Sequence, residues 1–347
     1  MAYTTINKST DHFNTKLYTG THSSSGAQSI TGVGFQPDWC WLKNRSSNGY
    51  DNRTYDSVRT ATKLLNTNLT NVEGTDAQGL TAFGTDGFTV GTSNGDNNNG
   101  DNYVSWNWKA NGAGSANTDG SINSTVSANT TAGFSIVSYT GTGSNASVGH
   151  GLGVAPSMII VKSRSSTDWW ICYHKTQGAT KYIALNFSNA VATNSGIWND
   201  TEPTSSVFSI GTNGGTNGNG NNYIAYCFAE KTGYSRFGSY VGNGNADGAF
   251  IHTGFKPKFV FLKNTTNGNR GVIYDNKRLG YNPNNYSLGA DVNLAEESSS
   301  WTLIDTYSNG FKCRSTDGSQ NASNNTYIYM AFGQSLVGTN NIPATAR

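Results

Sequence analysis

The sequence predicts an all-β protein made of three tandem copies of an antiparallel β-sandwich or jelly-roll-like domain of about 100 residues. Three observations carry this expectation. Turn formers are abundant: 42 Gly and 44 Asn in 347 residues. The 8 Trp, 18 Tyr and 15 Phe concentrate in short stretches of period two, the spacing of strands rather than helices. Finally, one set of five anchors recurs three times in the same order.

The first anchor is an aromatic residue entering a turn, at Tyr18-Thr-Gly20, Tyr139-Thr-Gly141 and Tyr240-Val-Gly242. The second is a Gly-apolar-x-Pro strand entry at Gly34–Pro37, Gly153–Pro156 and Gly254–Pro257. An apolar strand follows each proline and ends in Lys43, Lys162 or Lys263, always six residues on. Proline lacks an N–H, so it belongs at such a first or edge position. The third anchor is Tyr55-Asp56, Tyr173-His174 and Tyr274-Asp275. The fourth is a strand start at Phe88, Phe208 and Phe311, which lie 51, 52 and 54 residues after the prolines. The fifth is an aromatic strand beginning at Tyr103, Tyr223 and Tyr327, a further 15, 15 and 16 residues along. Tyr223–Phe228 is apolar at both parities, as expected of a strand covered on both faces. Before it lies an Asn/Gly-rich segment in every copy (92–102, 212–222 and 315–325), read as a long hairpin loop in which Asn and Gly supply positive φ.

These registers divide the chain into sandwich 1 (1–110), a Gly/Ser/Asn/Thr-rich linker (111–131) expected to be flexible, sandwich 2 (132–233), sandwich 3 (234–335) and a C-terminal tail (336–347). The short join at 231–236 implies that the second and third copies pack together.

Composition excludes several functions. Charged residues are 13 % and the net charge is +2, which gives no electrostatic footprint for nucleic acid. No apolar run is long enough to span a membrane as a helix, and the first residues lack a signal-peptide pattern. Asp96-Asn-Asn-Asn-Gly-Asp101 has calcium-type oxygens but no bidentate Glu, so it reads as turn chemistry, with no metal or cofactor expected. The cysteines 40, 172, 227 and 313 align mostly with aliphatic residues of sister copies and read as small buried hydrophobes. His150, in a Gly-rich stretch without a P-loop Lys-Ser/Thr, reads as a surface or strand-edge residue. Asp56-x-x-Arg59 and Asp275-x-x-Arg278 read as turn-stabilising ion pairs, with His174-Lys175 in their place in the second copy. Lys43, Lys162 and Lys263 read as strand ends at the solvent, or as contacts to a neighbouring subunit. No elbow, zinc or thiol signature points to catalysis. Trp169, Trp170, Trp198 and Trp301 lie outside the anchors and are the candidate ligand contacts, because aromatic faces beside amides suit sugars.

The segments Gln36–Arg45, Gly133–Gly143, His150–Lys162, Asn222–Glu230 and Phe237–Gly248, with the opening Met1–Asn7 and closing Pro343–Arg347, resemble a poorly characterised family of tandem-repeat proteins of tailed, especially marine, bacteriophages. Family members are called tail-fibre or virion structural proteins. The resemblance implies a non-enzymatic virion surface protein, made in the host cytoplasm and assembled with other virion proteins or copies of itself. It implies a tail fibre or appendage contributing to host adhesion through a surface glycan. Because the first copy begins close to Met1, with no expected anchoring domain or coiled coil, a capsid decoration or head appendage is the alternative, and a glycan depolymerase a remote one.

Overall fold

The computed structural model describes residues 4–278, 282–298, 303–335 and 337. Trp301 and nearly all of the expected tail fall outside them.

The first segment contains β1 (Phe13–Thr19), β2 (Gln28–Thr31), β3 (Trp39–Asn44), β4 (Arg53–Asp56), β5 (Lys63–Asn66), β6 (Gly74–Thr75), β7 (Leu80–Gly84), β8 (Gly87–Val90) and β9 (Asn102–Trp108). The second contains β10 (Ser115–Asn117), β11 (Ser124–Asn129), β12 (Phe134–Thr140), β13 (Ala146–Gly149), β14 (Met158–Ser163), β15 (Ile171–His174), β16 (Lys181–Ala184), β17 (Ala192–Thr193), β18 (Val207–Ile210) and β19 (Asn222–Phe228). The third contains β20 (Ser235–Val241), β21 (Phe250–His252), β22 (Phe255–Asn264), β23 (Val272–Asp275), β24 (Tyr286–Gly289), β25 (Glu297–Ser298), β26 (Ile304–Tyr307), β27 (Gly310–Cys313) and β28 (Thr326–Ser335).

The fold is all-β and antiparallel. Three large sheets run β1-β9-β3-β4-β5-β6, β12-β19-β14-β15-β16-β17 and β20-β28-β22-β23-β24-β25, so the aromatic strand always sits between the first strand and the proline-entered strand. Each large sheet is faced by a small one: β2-β8-β7, β13-β18 and β21-β27-β26. The expected flexible linker is a correction. β10 and β11 lie within it and extend the second sheet through β12. Alternating small side chains there still present a complete backbone ladder: Val126 and Ser127 are buried, and the Ser127 hydroxyl accepts from the Asn111 amide at 2.8 Å.

The two-faced strands have a physical explanation. On β19, Tyr223, Ala225 and Cys227 face the local sandwich core, while Ile224, Tyr226 and Phe228 enter a second core. The same split occurs on β3, where Cys40 and Leu42 are local and Trp39 and Trp41 are not, and on β28, where Tyr329 and Ala331 are local and Ile328, Met330 and Phe332 are not. The second core is common to all three segments. At its centre Trp108, Phe228 and Phe332, at the same position of β9, β19 and β28, form a triangle with ring separations of 6.3, 5.7 and 5.9 Å.

Polar contacts between segments run in a cycle. Asp56 accepts from the Tyr226 hydroxyl at 2.7 Å, Asp275 accepts from the Trp106 indole at 3.0 Å, and His174 meets the Tyr329 carbonyl at 3.3 Å. Backbone amides of Glu73, Val191 and Glu296 donate to the carbonyls of Arg164, Thr265 and Arg45. The segments therefore surround an approximate three-fold axis, each offering unlike surfaces to its two neighbours, and the cycle closes within one chain.

The lysine series closes the same cycle. Lys43, Lys162 and Lys263 are buried, not at solvent. Lys43 Nζ donates to Val292 O at 2.9 Å, Lys162 Nζ to Thr70 O at 3.1 Å, and Lys263 Nζ to Phe187 O. Burial pulls the Lys43 ammonium down to about 7 and Lys162 to about 8. The contact to a neighbouring subunit proves to be one to a neighbouring segment.

His150 is likewise buried, against the expectation, and its Nε2 lies 3.2 Å from Thr204 O. All four cysteines are buried and unpaired, and burial pushes every thiol up. The native chain is expected to resist a thiol-exchange reagent and to expose four reactive thiols on denaturation, measurable by the released chromophore.

His174 carries a pH dependence. Burial, opposed by the Tyr329 carbonyl and reinforced by Lys175, lowers its pKa from 6.5 to about 4. The carbonyl can only accept, so Nε2 carries the proton and Nδ1 accepts from Thr176. The unfolded chain thus binds this proton at higher pH than the folded one. Through this group stability is constant above about pH 6.5 and falls as pH drops towards 4, by at most about 1.4 kcal/mol per unit. Denaturant titrations at stepped pH check this, and His174→Gln is expected to flatten that part of the profile.

Candidate functional site

The Asn/Gly-rich segments are folded, not open hairpins. Asn97, Asn217 and Asn321 occupy equivalent positions and are fully buried. Asn217 accepts from Thr142 N at 2.8 Å and donates to Ser144 O and Gly211 O, both at 2.6 Å. Asn97 and Asn321 repeat this clamp on Thr21, Gly26 and Gly91, and on Asn243, Asn245 and Ser315. Tyr18, Tyr139 and Tyr240 each donate to a loop carbonyl at 2.7 Å. Each also stacks on the tyrosine that begins the aromatic strand, at 5.0, 5.2 and 5.1 Å. Asn217→Ala leaves the Thr142 amide and the Gly211 carbonyl without this partner and is expected to cost about 1–3 kcal/mol, read by urea denaturation.

Asp96 is not disposed as a calcium ligand. Its carboxylate accepts from Arg53 at 2.6 Å and from the Tyr55 hydroxyl at 2.8 Å. Asp101 accepts from Asn44 and Asn98 instead. No group of three His, Cys, Asp or Glu is placed to hold a metal ion among the described residues.

These clamped loops share one end of the molecule, because β9, β19 and β28 all begin there. The joins between segments, near Lys109 and Ala229, lie at the opposite end. At the loop end, around the approximate axis, all three segments line one pocket of about 470 Å³. Its lining includes Asn68, Asn186 and Asp291, which are equivalent: each belongs to the turn that pairs back onto the entry of β4, β15 or β23. Asn68 accepts from Asn52 N at 2.8 Å and Asn186 from Trp170 N at 2.9 Å. Asp291 has Lys263 at 3.7 Å. Its burial outweighs that lysine and the Gly271 amide and raises its pKa. Phe187 and Val292 form apolar walls; Ser188, Asn269, Arg270 and Ser319 form the rim. A second open pocket of about 460 Å³, lined by Gly49–Asp51, Arg53 and Thr92–Gly95, lies at the same end of the first segment.

The four sequence candidates fare differently. Trp170 and Trp198 are core side chains, fully buried, and present no face to a ligand. Trp170 instead donates across a segment boundary to Asn66 O at 2.9 Å. Trp169 is half-buried and packs on Phe187 at 5.0 Å and Tyr182 at 6.4 Å, which sets it behind the pocket wall. Trp301 lies outside the described residues. Sequence reasoning missed Phe187, Asn186, Asp291 and Arg270. A signal existed: Asn68, Asn186 and Asp291 follow the tyrosine anchors by 13, 13 and 17 residues. The convergence of three sister positions on one axis was not in the sequence.

One family model, described as a domain of unknown function (DUF7483), matches residues 8–335 and so spans all three segments as one unit. No curated protein matches the chain.

Proposed function

The chain belongs to this DUF7483 family, and from its closed three-segment architecture we propose that it is a non-enzymatic virion surface protein of a tailed bacteriophage, mounted as a tail appendage and contributing to host adhesion. The observation that carries the reading is the cycle of contacts around an approximate three-fold axis. A single chain with such an axis can sit on a trimeric or quasi-three-fold part of a particle, as one subunit in place of three. Its two ends differ: one carries the segment joins, the other the clamped loops and open pockets. The sequence resemblance supplies the particle. The linings of the two open pockets contain neither His nor Cys, and a single carboxylate each. That supports a binding role over hydrolysis, since glycosidases pair two carboxylates.

The same axis suits a three-fold site on a capsid lattice, so a head decoration is the second reading. Labelled antibody against the chain, imaged on intact particles, tests both. Label on the tail or its tip is the expected result. Label on the head shell overturns the tail reading in favour of decoration. Absence from purified particles overturns the virion role altogether. Release of oligosaccharide from host glycan would overturn the non-enzymatic part.

No helix among the described residues is long and apolar enough to cross a membrane.

A further inference from the structure

We propose that the axial pocket at the loop end is a binding site for a neutral saccharide, with Phe187 as the wall that takes a sugar's C–H face and Asn269 and Arg270 as the groups that take its hydroxyls. The inference rests on the adhesion reading only for the origin of the glycan, since the chemistry of the pocket is independent of it.

Four features select this ligand class. The volume of about 470 Å³ lies in the range of small-molecule sites and holds roughly one or two sugar rings. The lining mixes amides, hydroxyls and one aromatic ring, whereas an apolar ligand would leave the amides unpaired. Phe187 is half-buried and braced from behind by Trp169 at 5.0 Å, so its ring is held in place before any ligand arrives. Charge is balanced within the site: Asp291 faces Lys263 at 3.7 Å, and Arg270 faces Glu297 at 3.6 Å. A phosphate or sulfate would meet no free pair of cations there, while an uncharged polyol meets no uncompensated charge.

The second open pocket is a poorer candidate, because its Arg53 is already engaged by Asp76, Asp96 and Ser93.

The pocket also shows how the three segments diverged. Asp51, Trp169 and Arg270 each stand one residue before the equivalent strand-entry residues Asn52, Trp170 and Gly271. One position therefore carries a carboxylate, an indole and a guanidinium, and of the three only Arg270 lines the axial pocket.

The test uses the full chain. Glucose, galactose, mannose, rhamnose and N-acetylglucosamine are screened by saturation-transfer NMR, with glucose 6-phosphate and inorganic phosphate as anionic probes. The hit is then titrated calorimetrically. The expected result is binding of at least one neutral sugar with a Kd of about 1 mM or tighter, weakened about tenfold by Phe187→Ala and by Arg270→Ala with melting temperatures unchanged. Phe250→Ala, at an exposed aromatic remote in sequence from the pocket, serves as the control that leaves the Kd alone. Binding of no sugar in the panel overturns the proposal, as does binding that Phe187→Ala and Arg270→Ala leave intact. Preference for the anionic probes overturns the neutral-ligand assignment. Should Phe187→Ala unfold the chain, Arg270→Ala and Asn269→Ala, at half-buried positions, decide alone. A chain located on the particle that binds no sugar fails this inference and not the virion role. A sugar-binding chain absent from particles does the reverse.

Discussion

Trp39→Ala is expected to destabilise the whole protein by about 3–5 kcal/mol, and to do so in one cooperative transition rather than in the first segment alone. Trp39 belongs to β3, yet its ring stacks on Tyr226 of the second segment at 4.4 Å as closely as on Trp108 of its own at 4.4 Å. It also meets Phe134 and Phe228 at 5.9 Å, and its indole donates to Thr54 at 2.5 Å. Removing it opens a large cavity in the shared core and leaves the Thr54 hydroxyl without that donor. Trp198→Ala provides the contrast. Trp198 packs in the second segment's local core, against Tyr173 at 6.0 Å, and its indole N–H has no partner among the described residues. Its loss is expected to be smaller. Calorimetry gives the number of transitions and chemical denaturation gives the size. Three separate transitions in the native chain, or a Trp39→Ala effect confined to one of them, would show that the segments fold independently.

Asp275→Ala is expected to cost a similar amount, about 3–5 kcal/mol, because it removes the nearest counter-charge of a buried cation and leaves Arg278 with Glu296 alone. Asp275 and Arg278 are both inaccessible to solvent and bonded at 2.6 Å. Burial opposes ionisation of Asp275, but Arg278 and the Trp106 indole outweigh it and hold the carboxyl below its usual range. Arg278 also reaches Glu296 at 2.9 Å and Ile273 O at 2.9 Å, and Glu296 in turn accepts from Arg45 of the first segment at 2.6 Å. The pair is thus a turn brace, as the spacing suggests, and a joint between segments, which the spacing does not reveal. The double variant Asp275→Leu with Arg278→Met is expected to lose much less than the single one, since replacing both members of a buried pair by apolar residues of similar size is often near neutral. The second segment already works this way, with neutral His174 at the equivalent place. A double variant as damaging as the single would mean that the hydrogen bond to Trp106, rather than the uncompensated charge, dominates.

Much of the site was half-legible. The tyrosine anchors, the Asp-x-x-Arg pairs and the lysine series were all visible as recurring residues, because a residue type repeated at fixed spacing reflects a repeated local demand. The demand itself was misread for Lys43, Lys162 and Lys263. A lysine at a strand end usually reaches water. Here the strand end abuts another segment, and the ammonium must find a carbonyl there. Trp170 and Trp198 were misread for the opposite reason. They stand outside the anchors, so they looked free, yet each fills a core that only folding creates.

By itself the sequence determined the all-β class, the period-two strands, the order of the anchors and the places where the chain turns. All follow from steric and hydrogen-bonding rules acting over a few residues. Even the need for a second covered face was written in Tyr223–Phe228, apolar at both parities. What covers that face was decided only in three dimensions. The apolar rings of three sheets are buried most completely against one another, which places Trp108, Phe228 and Phe332 in one triangle and orders the supposed linker as β10 and β11. It also brings Asn68, Asn186 and Asp291 to a common pocket. Residues more than a hundred positions apart meet there because burying a shared apolar core outweighs keeping three sandwiches apart, and no local pattern records that choice.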